Sequence, residues 1–175
     1  MVKEKINSSG IRLPQKVIWE QLRKITVSSR LGNAYLFYGP PGNGKEYIAI
    51  KFAQMVNCEK DKGFICGKCS SCKRSDILQH ENINLVFPLP LLKNKSSGNV
   101  DDFDKINIDT IIDSIKKKSK NPFHKIRVPN ANRILIQSIR ALRRKLYLKT
   151  QTFGRKVVLV FDAHLLNSGQ GEAAN

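Results

Sequence analysis

The stretch Gly39-Pro40-Pro41-Gly42-Asn43-Gly44-Lys45 follows a short apolar run and precedes a helix-patterned segment, and this order constrains the fold more than any other part of the chain. It fits G-x-x-x-x-G-K, a loop whose glycines reach backbone conformations that turn several N–H groups inward. With a helix N-terminus behind it and the Lys45 ammonium in front, such a loop cradles phosphate. The next residue is Glu46, a carboxylate where a working loop places a Ser or Thr hydroxyl on Mg²⁺. Two readings stand side by side. In one, Gly39, Gly42, Asn43, Gly44 and Lys45 bind Mg²⁺·ATP. In the other, Glu46 supplies an anion to its own helix N-terminus and the loop is scaffold.

Hydrophobic periodicity extends the pattern on both sides of the loop. Val17, Ile18, Leu22 and Ile25 recur at helical spacing and predict an amphipathic helix over 15–30 with these residues inward. Residues 34–38 (AYLFY), cut off by Gly and Pro, predict a strand, and Ile48, Phe52, Met55 and Val56 predict a helix from Lys45 through Asn57. A second strand is expected over 84–87 and a mobile polar loop over 93–104. Ile108, Ile111, Ile112 and Ile115 then mark a helix that ends in Lys116 to Lys118. After a loop over 120–130, a helix over 137–148 places Ile139, Leu142 and Leu146 inward and Arg140, Arg143 and Arg144 outward. Val157 to Phe161 reads as a strand buried on both faces. Strands alternating with helices predict an α/β three-layer sandwich with a mainly parallel sheet, whose ligands lie at the carboxyl ends of the strands.

That last strand ends in Asp162, the pattern of a Walker B segment in which the Asp positions Mg²⁺. Related ATPases follow it with a Glu that polarises water, whereas here Ala163 follows; His164 reads as structural. Cys58, Cys66, Cys69 and Cys72 form C-x7-C-x2-C-x2-C, with Gly63 and Gly67 for turns. Four thiolates in tetrahedral closure leave no open coordination position, so a Zn²⁺ ion there folds a module over 58–72 and does no chemistry. Two disulfides or four thiols are the alternative, disfavoured in a reducing compartment.

Lys plus Arg number 31 against 14 Asp plus Glu, a formal charge of +17, which favours a polyanion or an acidic protein as partner. The outward basic residues Arg140, Arg143, Arg144, Lys145 and Lys149 are a candidate contact for a nucleic-acid backbone, with residues 116–125 as a second patch. An apolar share of 41% excludes a wholly disordered chain, and no apolar run is long enough to span a membrane. Residues 1–16 lack the apolar centre of a secretory signal, so the expected location is cytoplasmic.

The residues 30–37 (RLGNAYLF), the Gly-rich loop, the four-cysteine insertion, 136–142 (IQSIRAL) and 153–158 (FGRKVV) together resemble the N-terminal AAA+ domain of the bacterial DNA polymerase III clamp loaders, the gamma/tau and delta-prime group. The resemblance covers most of residues 15–175, with 93–130, a basic insertion, longer and more divergent than is usual there. It implies a RecA-like P-loop fold carrying the zinc insertion, and partners among the other loader subunits, gamma/tau and delta. The sliding clamp would be engaged indirectly, with primer-template DNA as a candidate further partner. Gamma-type motors resemble one another in keeping Lys-Thr or Lys-Ser in the loop and Asp-Glu in the Walker B segment. Lys45-Glu46 and Asp162-Ala163 depart at both places, as delta-prime subunits often do. The implied role is a non-hydrolysing stator during clamp loading in DNA replication. A gamma/tau-type ATPase and a zinc-stabilised nucleic-acid-binding module are the alternatives. In the family a helix beginning near 171–175 continues into further strands, a trans-acting arginine, a lid and a collar, so the expectation is a domain truncated at its C-terminus.

Overall fold

The computed structural model describes residues 16–28, 30–90, 105–149 and 152–167. The expected loop over 93–104 lies wholly outside them, as do the residues at either end of the chain. The elements run α1 (Lys16–Val27), α2 (Lys45–Val56), α3 (Ser70–Asp76), β1 (Ile83–Val86), α4 (Lys105–Lys120), α5 (Ile136–Tyr147) and β2 (Val157–Val160), followed by a 3₁₀ turn over Ala163–Asn167. They fall into two compact units. The first comprises residues 1–82 and 152–155, the second 83–151 and 156–175.

In the first unit, α1 and α2 pack together with the cysteine segment. One core cluster joins Trp19 and Leu22 of α1 to Ile48, Phe52 and Met55 of α2 and to Cys58, Ile65, Cys69 and Cys72. The buried stripe of α1 is therefore Trp19, Leu22 and Thr26, while Val17 and Ile18 face solvent, a rotation from the expected Val17–Ile18–Leu22–Ile25 face. The rotation places the indole, the largest apolar side chain of the helix, in the core beside Leu22 and the cysteine segment. α2 is buried on nearly every side, with Tyr47, Ala49, Ile50 and Ala53 covered along with the expected stripe.

The predicted strand over 34–38 is not a strand in the structure. Extended backbone becomes a strand only when a neighbour completes its hydrogen-bond ladder, and among the described residues none does so. Tyr35 and Phe37 pack instead on Phe52, with ring centroids 5.0 Å and 6.4 Å away, and Leu36 and Tyr38 are exposed.

In the second unit, β1 and β2 pair in parallel, with Ile83 opposite Val157 and Val86 opposite Val160. The ladder continues past the strands through the Phe161 N–H, which donates to the Val86 carbonyl at 2.8 Å. A parallel pair needs a crossover, and α4 and α5 lie between its strands in sequence. β1 starts one residue earlier than expected. β2 is not buried on both faces: Leu159 and Phe161 point inward, while Val160 is exposed. Its partner β1 is the more covered strand, with Ile83, Asn84 and Val86 buried. α4 also differs from its expected face, since Ile108 and Ile112 are exposed and Ser114 and Lys118 are buried. The Lys118 ammonium lies 5.2 Å from the Phe161 ring centroid, a cation–π contact that makes this lysine a core residue. α5 keeps its expected orientation, with Ile139, Leu142 and Leu146 half-buried and Arg140, Arg143 and Arg144 exposed. Residues 121–130 are loop, as expected. No helix among the described residues is long and apolar enough to cross a membrane.

Candidate metal centre and phosphate loop

Cys58 follows the C-cap of α2, Cys66 lies in the connecting loop, Cys69 caps α3, and Cys72 sits in its first turn. This short path brings all four Sγ atoms within 4.8 Å of one another, and Cys66 and Cys72 within 3.9 Å. Zinc–sulfur bonds of about 2.3 Å in a tetrahedron set the sulfurs roughly 3.8 Å apart, so the four thiols are compatible with one shared ion. Backbone donors already point at the sulfurs: the Cys69 N–H to Cys66 Sγ at 3.4 Å and the Cys72 N–H to Cys69 Sγ at 3.3 Å. Hydrogen bonds led by the Lys68 N–H hold the Cys66 thiol down at about 6, favouring the thiolate that binds metal. Burial pushes the Cys72 thiol up, a penalty that a coordinated cation would offset.

Around the cysteines lies a buried polar network that the sequence reading did not anticipate. Ser71 Oγ donates to the Asn57 carbonyl at 2.5 Å and lies 2.7 Å from His80 Nε2, while His80 Nδ1 accepts the Asn82 N–H at 3.0 Å. Since Nδ1 accepts, Nε2 carries the proton and donates to Ser71. Burial is the main cause of a His80 pKa below the ordinary value, with Arg74 adding to it. Gln54 ties α2 to α3 through the Cys72 carbonyl at 3.1 Å and Asp76 at 2.9 Å. The one signal in the sequence was adjacency: Asn57 and Ser71 each precede a ligand-type cysteine.

The Gly-rich loop leads directly into α2. Gly42 and Gly44 take φ of 79° and 77°, and Gly44 is the N-cap of α2, its carbonyl accepting the Ile48 N–H at 3.0 Å. Asn43 Oδ1 accepts the Lys45 N–H at 3.3 Å. The Lys45 ammonium is folded back onto its own loop, donating to the Gly39 and Pro40 carbonyls at 3.2 Å each. Glu46 is half-buried in the first turn of α2, where its charge suits the helix dipole.

Asp162 belongs to the second unit and adopts φ of 51°. Its carboxylate meets the Lys125 ammonium at 3.4 Å, and its carbonyl accepts the Leu165 N–H at 2.9 Å. Ala163 and His164 are exposed in the 3₁₀ turn. Arg140, Arg143, Arg144, Lys145 and Lys149 are all exposed, and the α5 segment contains no acidic residue. The second basic patch is thinner than its sequence suggests, because Lys118 is buried and Lys117 pairs with Asp113 at 2.7 Å.

A family profile described as DNA polymerase III, delta subunit, matches residues 14–175. The chain belongs to this clamp-loader family. Among relatives of the clamp-loader chain, the DNA polymerase III subunit delta' of Bacillus subtilis is 29% identical over 97 residues, covering 54% of this chain and 28% of that protein. The DNA polymerase III subunit tau of the same organism is 39% identical over 62 residues, 34% of this chain and 11% of its own length. Protein STICHEL-like 3 of Arabidopsis thaliana is 33% identical over 111 residues, 63% of this chain and 9% of its own. The clamp-loader chain thus matches less than a third of each of these relatives. No solved structure matches it significantly.

Proposed function

We propose that this chain acts in the DNA polymerase III clamp loader as a non-hydrolysing, delta-prime-like subunit, helping to place the sliding clamp on primed DNA. Glu46 carries the reading. It puts a carboxylate beside Lys45 where a motor subunit has the hydroxyl that holds Mg²⁺, in a loop that otherwise keeps its glycine geometry. The Lys125 ammonium beside Asp162 and the absence of an acid at Ala163 support the same conclusion. On this reading the loop of Gly39, Gly42, Asn43, Gly44 and Lys45 is scaffold in a P-loop AAA+ three-layer sandwich. Gamma/tau and delta subunits are its partners, it meets the clamp indirectly, and it works in the cytoplasm. Cys58, Cys66, Cys69 and Cys72 hold a structural Zn²⁺.

The test is Mg²⁺·ATP binding and turnover by the purified chain, with Lys45→Ala as control. The expected outcome is no turnover. Turnover that Lys45→Ala abolishes would establish the gamma/tau-type motor instead. The exposed basic residues of α5 favour an added contact with the DNA backbone, read as an affinity that falls steeply with salt and is reduced by Arg143→Ala with Arg144→Ala. Tight DNA binding by the chain alone, without loader partners, would favour a free-standing nucleic-acid-binding module.

A further inference from the structure

Residues 152–155 join the first unit from far along the chain, about seventy residues past Asn82 and nearly a hundred past Asn57. Three hydrogen bonds fasten them there. The Arg155 N–H donates to Asn57 Oδ1 at 3.0 Å, Asn82 Nδ2 donates to the Phe153 carbonyl at 3.2 Å, and the Thr152 hydroxyl donates to the Glu81 carboxylate. Gly154, at φ of 119°, approaches so closely that a Cβ there would fall 2.2 Å from Asn57 Oδ1.

The residues gripping this turn belong to the network around the cysteines. Asn57 precedes Cys58, Ser71 precedes Cys72, and the Ser71 hydroxyl bridges the Asn57 carbonyl to His80, whose ring receives the Asn82 N–H. Asn57, Ser71 and Asn82 have no solvent exposure. Buried polar groups that lose a partner cannot recover it from water, so these bonds form or break as a set. Asn82 Oδ1 is already buried without a partner, which leaves little tolerance for a second loss.

We infer that the cysteine centre latches the turn of residues 152–155. Holding Cys58 and Cys72 on one ion fixes Asn57 and Ser71 beside them, and those residues hold the turn from which the chain enters β2. The latch rests on the metal reading given under the proposed function, and the test keeps the two apart.

The measurement is hydrogen exchange on the whole chain, with zinc content determined on every sample. Three samples are compared: zinc-loaded, stripped by a chelator, and Ser71→Ala. In the zinc-loaded chain the Arg155 N–H, donated to Asn57 Oδ1, exchanges slowly, and it is the amide that reports on residues 152–156. Ser71→Ala keeps its zinc but exchanges about tenfold faster there, and stripping accelerates both 152–156 and 58–76 while α4 keeps its rate. If zinc is bound but stripping loosens only 58–76, the latch falls and the metal reading stands. If exchange rises equally throughout, α4 included, the latch falls as well, because the ion then supports the whole fold. A chain that takes up no zinc sinks both.

Reciprocity supplies a second arm that does not depend on Ser71→Ala folding. Gly154→Ala forces the turn off Asn57 and must weaken Zn²⁺ binding by about the factor by which zinc loss loosens the turn. Chelator competition reads that factor, and an unchanged zinc affinity overturns the latch.

Discussion

The cysteine centre and the phosphate loop are both short motifs with local geometry, yet they end in opposite states. At the centre, N–H···S bonds reach Cys66 and Cys69, the Asn57–Ser71–His80–Asn82 network lies in the residues alongside, and three of the cysteines lie in the core cluster with Trp19 and Phe52. At the loop, residues 39–43 are exposed and the Lys45 ammonium donates to the loop's own carbonyls. On the proposed function, the chain keeps one motif as part of its core and the other as shape. A motif's spacing therefore specifies its backbone, while its chemistry depends on the residues next to it, here Glu46 and the partner that Asp162 finds in Lys125.

The most severe way to break this contrast is to remove a ligand from each side. Cys69→Ser, or zinc stripping, is expected to cost on the order of 5 kcal/mol or more in the stability of the first unit. Lys45→Ala should cost within about 0.5 kcal/mol, as an exposed change outside the core does. Trp19 is the only tryptophan and lies in the cluster with the cysteines, so its fluorescence during denaturant unfolding reports both variants. Equal losses would mean that the loop carries as much of the fold as the centre.

A milder pair sharpens the contrast through glycines with positive φ. At Gly42, φ is 79° and nothing lies within 4 Å of a built Cβ, so Gly42→Ala meets only backbone strain, about 1 kcal/mol. At Gly154 the strain comes with a clash against Asn57, and the expected loss is about 2–3 kcal/mol. Thermal unfolding of the two variants side by side decides it. A Gly42→Ala loss as large as that of Gly154→Ala would show that the loop's exposed side is covered in solution.

Most of what could be read from the sequence was local. α2, α5 and the cysteine spacing follow from periodicity and ligand count, and the structure has them where the pattern places them. What failed required knowing a neighbour. Residues 34–38 have the composition of a strand, but no described strand pairs with them. On α4 Ile111 and Ile115 are half-buried, but Ile108 and Ile112 are exposed and the buried positions go to Ser114 and Lys118, because a lysine stem and its ammonium fit against Phe161, a contact no helical wheel contains. The seven-residue α3 has no apolar stripe to announce it, and it is defined by its Cys69 cap and by the Glu59 carboxylate accepting the Ser71 N–H at 3.0 Å. The network at Asn57 was invisible for the same reason, since its partner at Arg155 lies ninety-eight positions away.

The smallest expected effect lies within that network and depends on pH. His80 is buried and neutral, with its pKa below the ordinary value chiefly through burial; Arg74 reinforces the shift while Glu81 and Glu59 oppose it. A histidine whose folded pKa is depressed binds its proton more readily in the unfolded chain, so unfolding takes up a proton as pH falls. Stability from this source is complete above the unfolded pKa of about 6.5 and declines below it by roughly 1 kcal/mol per pH unit until the folded pKa is reached. His80→Gln can retain hydrogen-bonding groups without titrating, so the urea midpoint of the wild type should fall relative to this variant between about pH 7 and pH 5.5. Saturating Zn²⁺ in both samples suppresses the contribution of cysteine protonation. Parallel midpoints would place His80 outside the buried network in solution, and the contrast between centre and loop would then rest on the sulfurs alone.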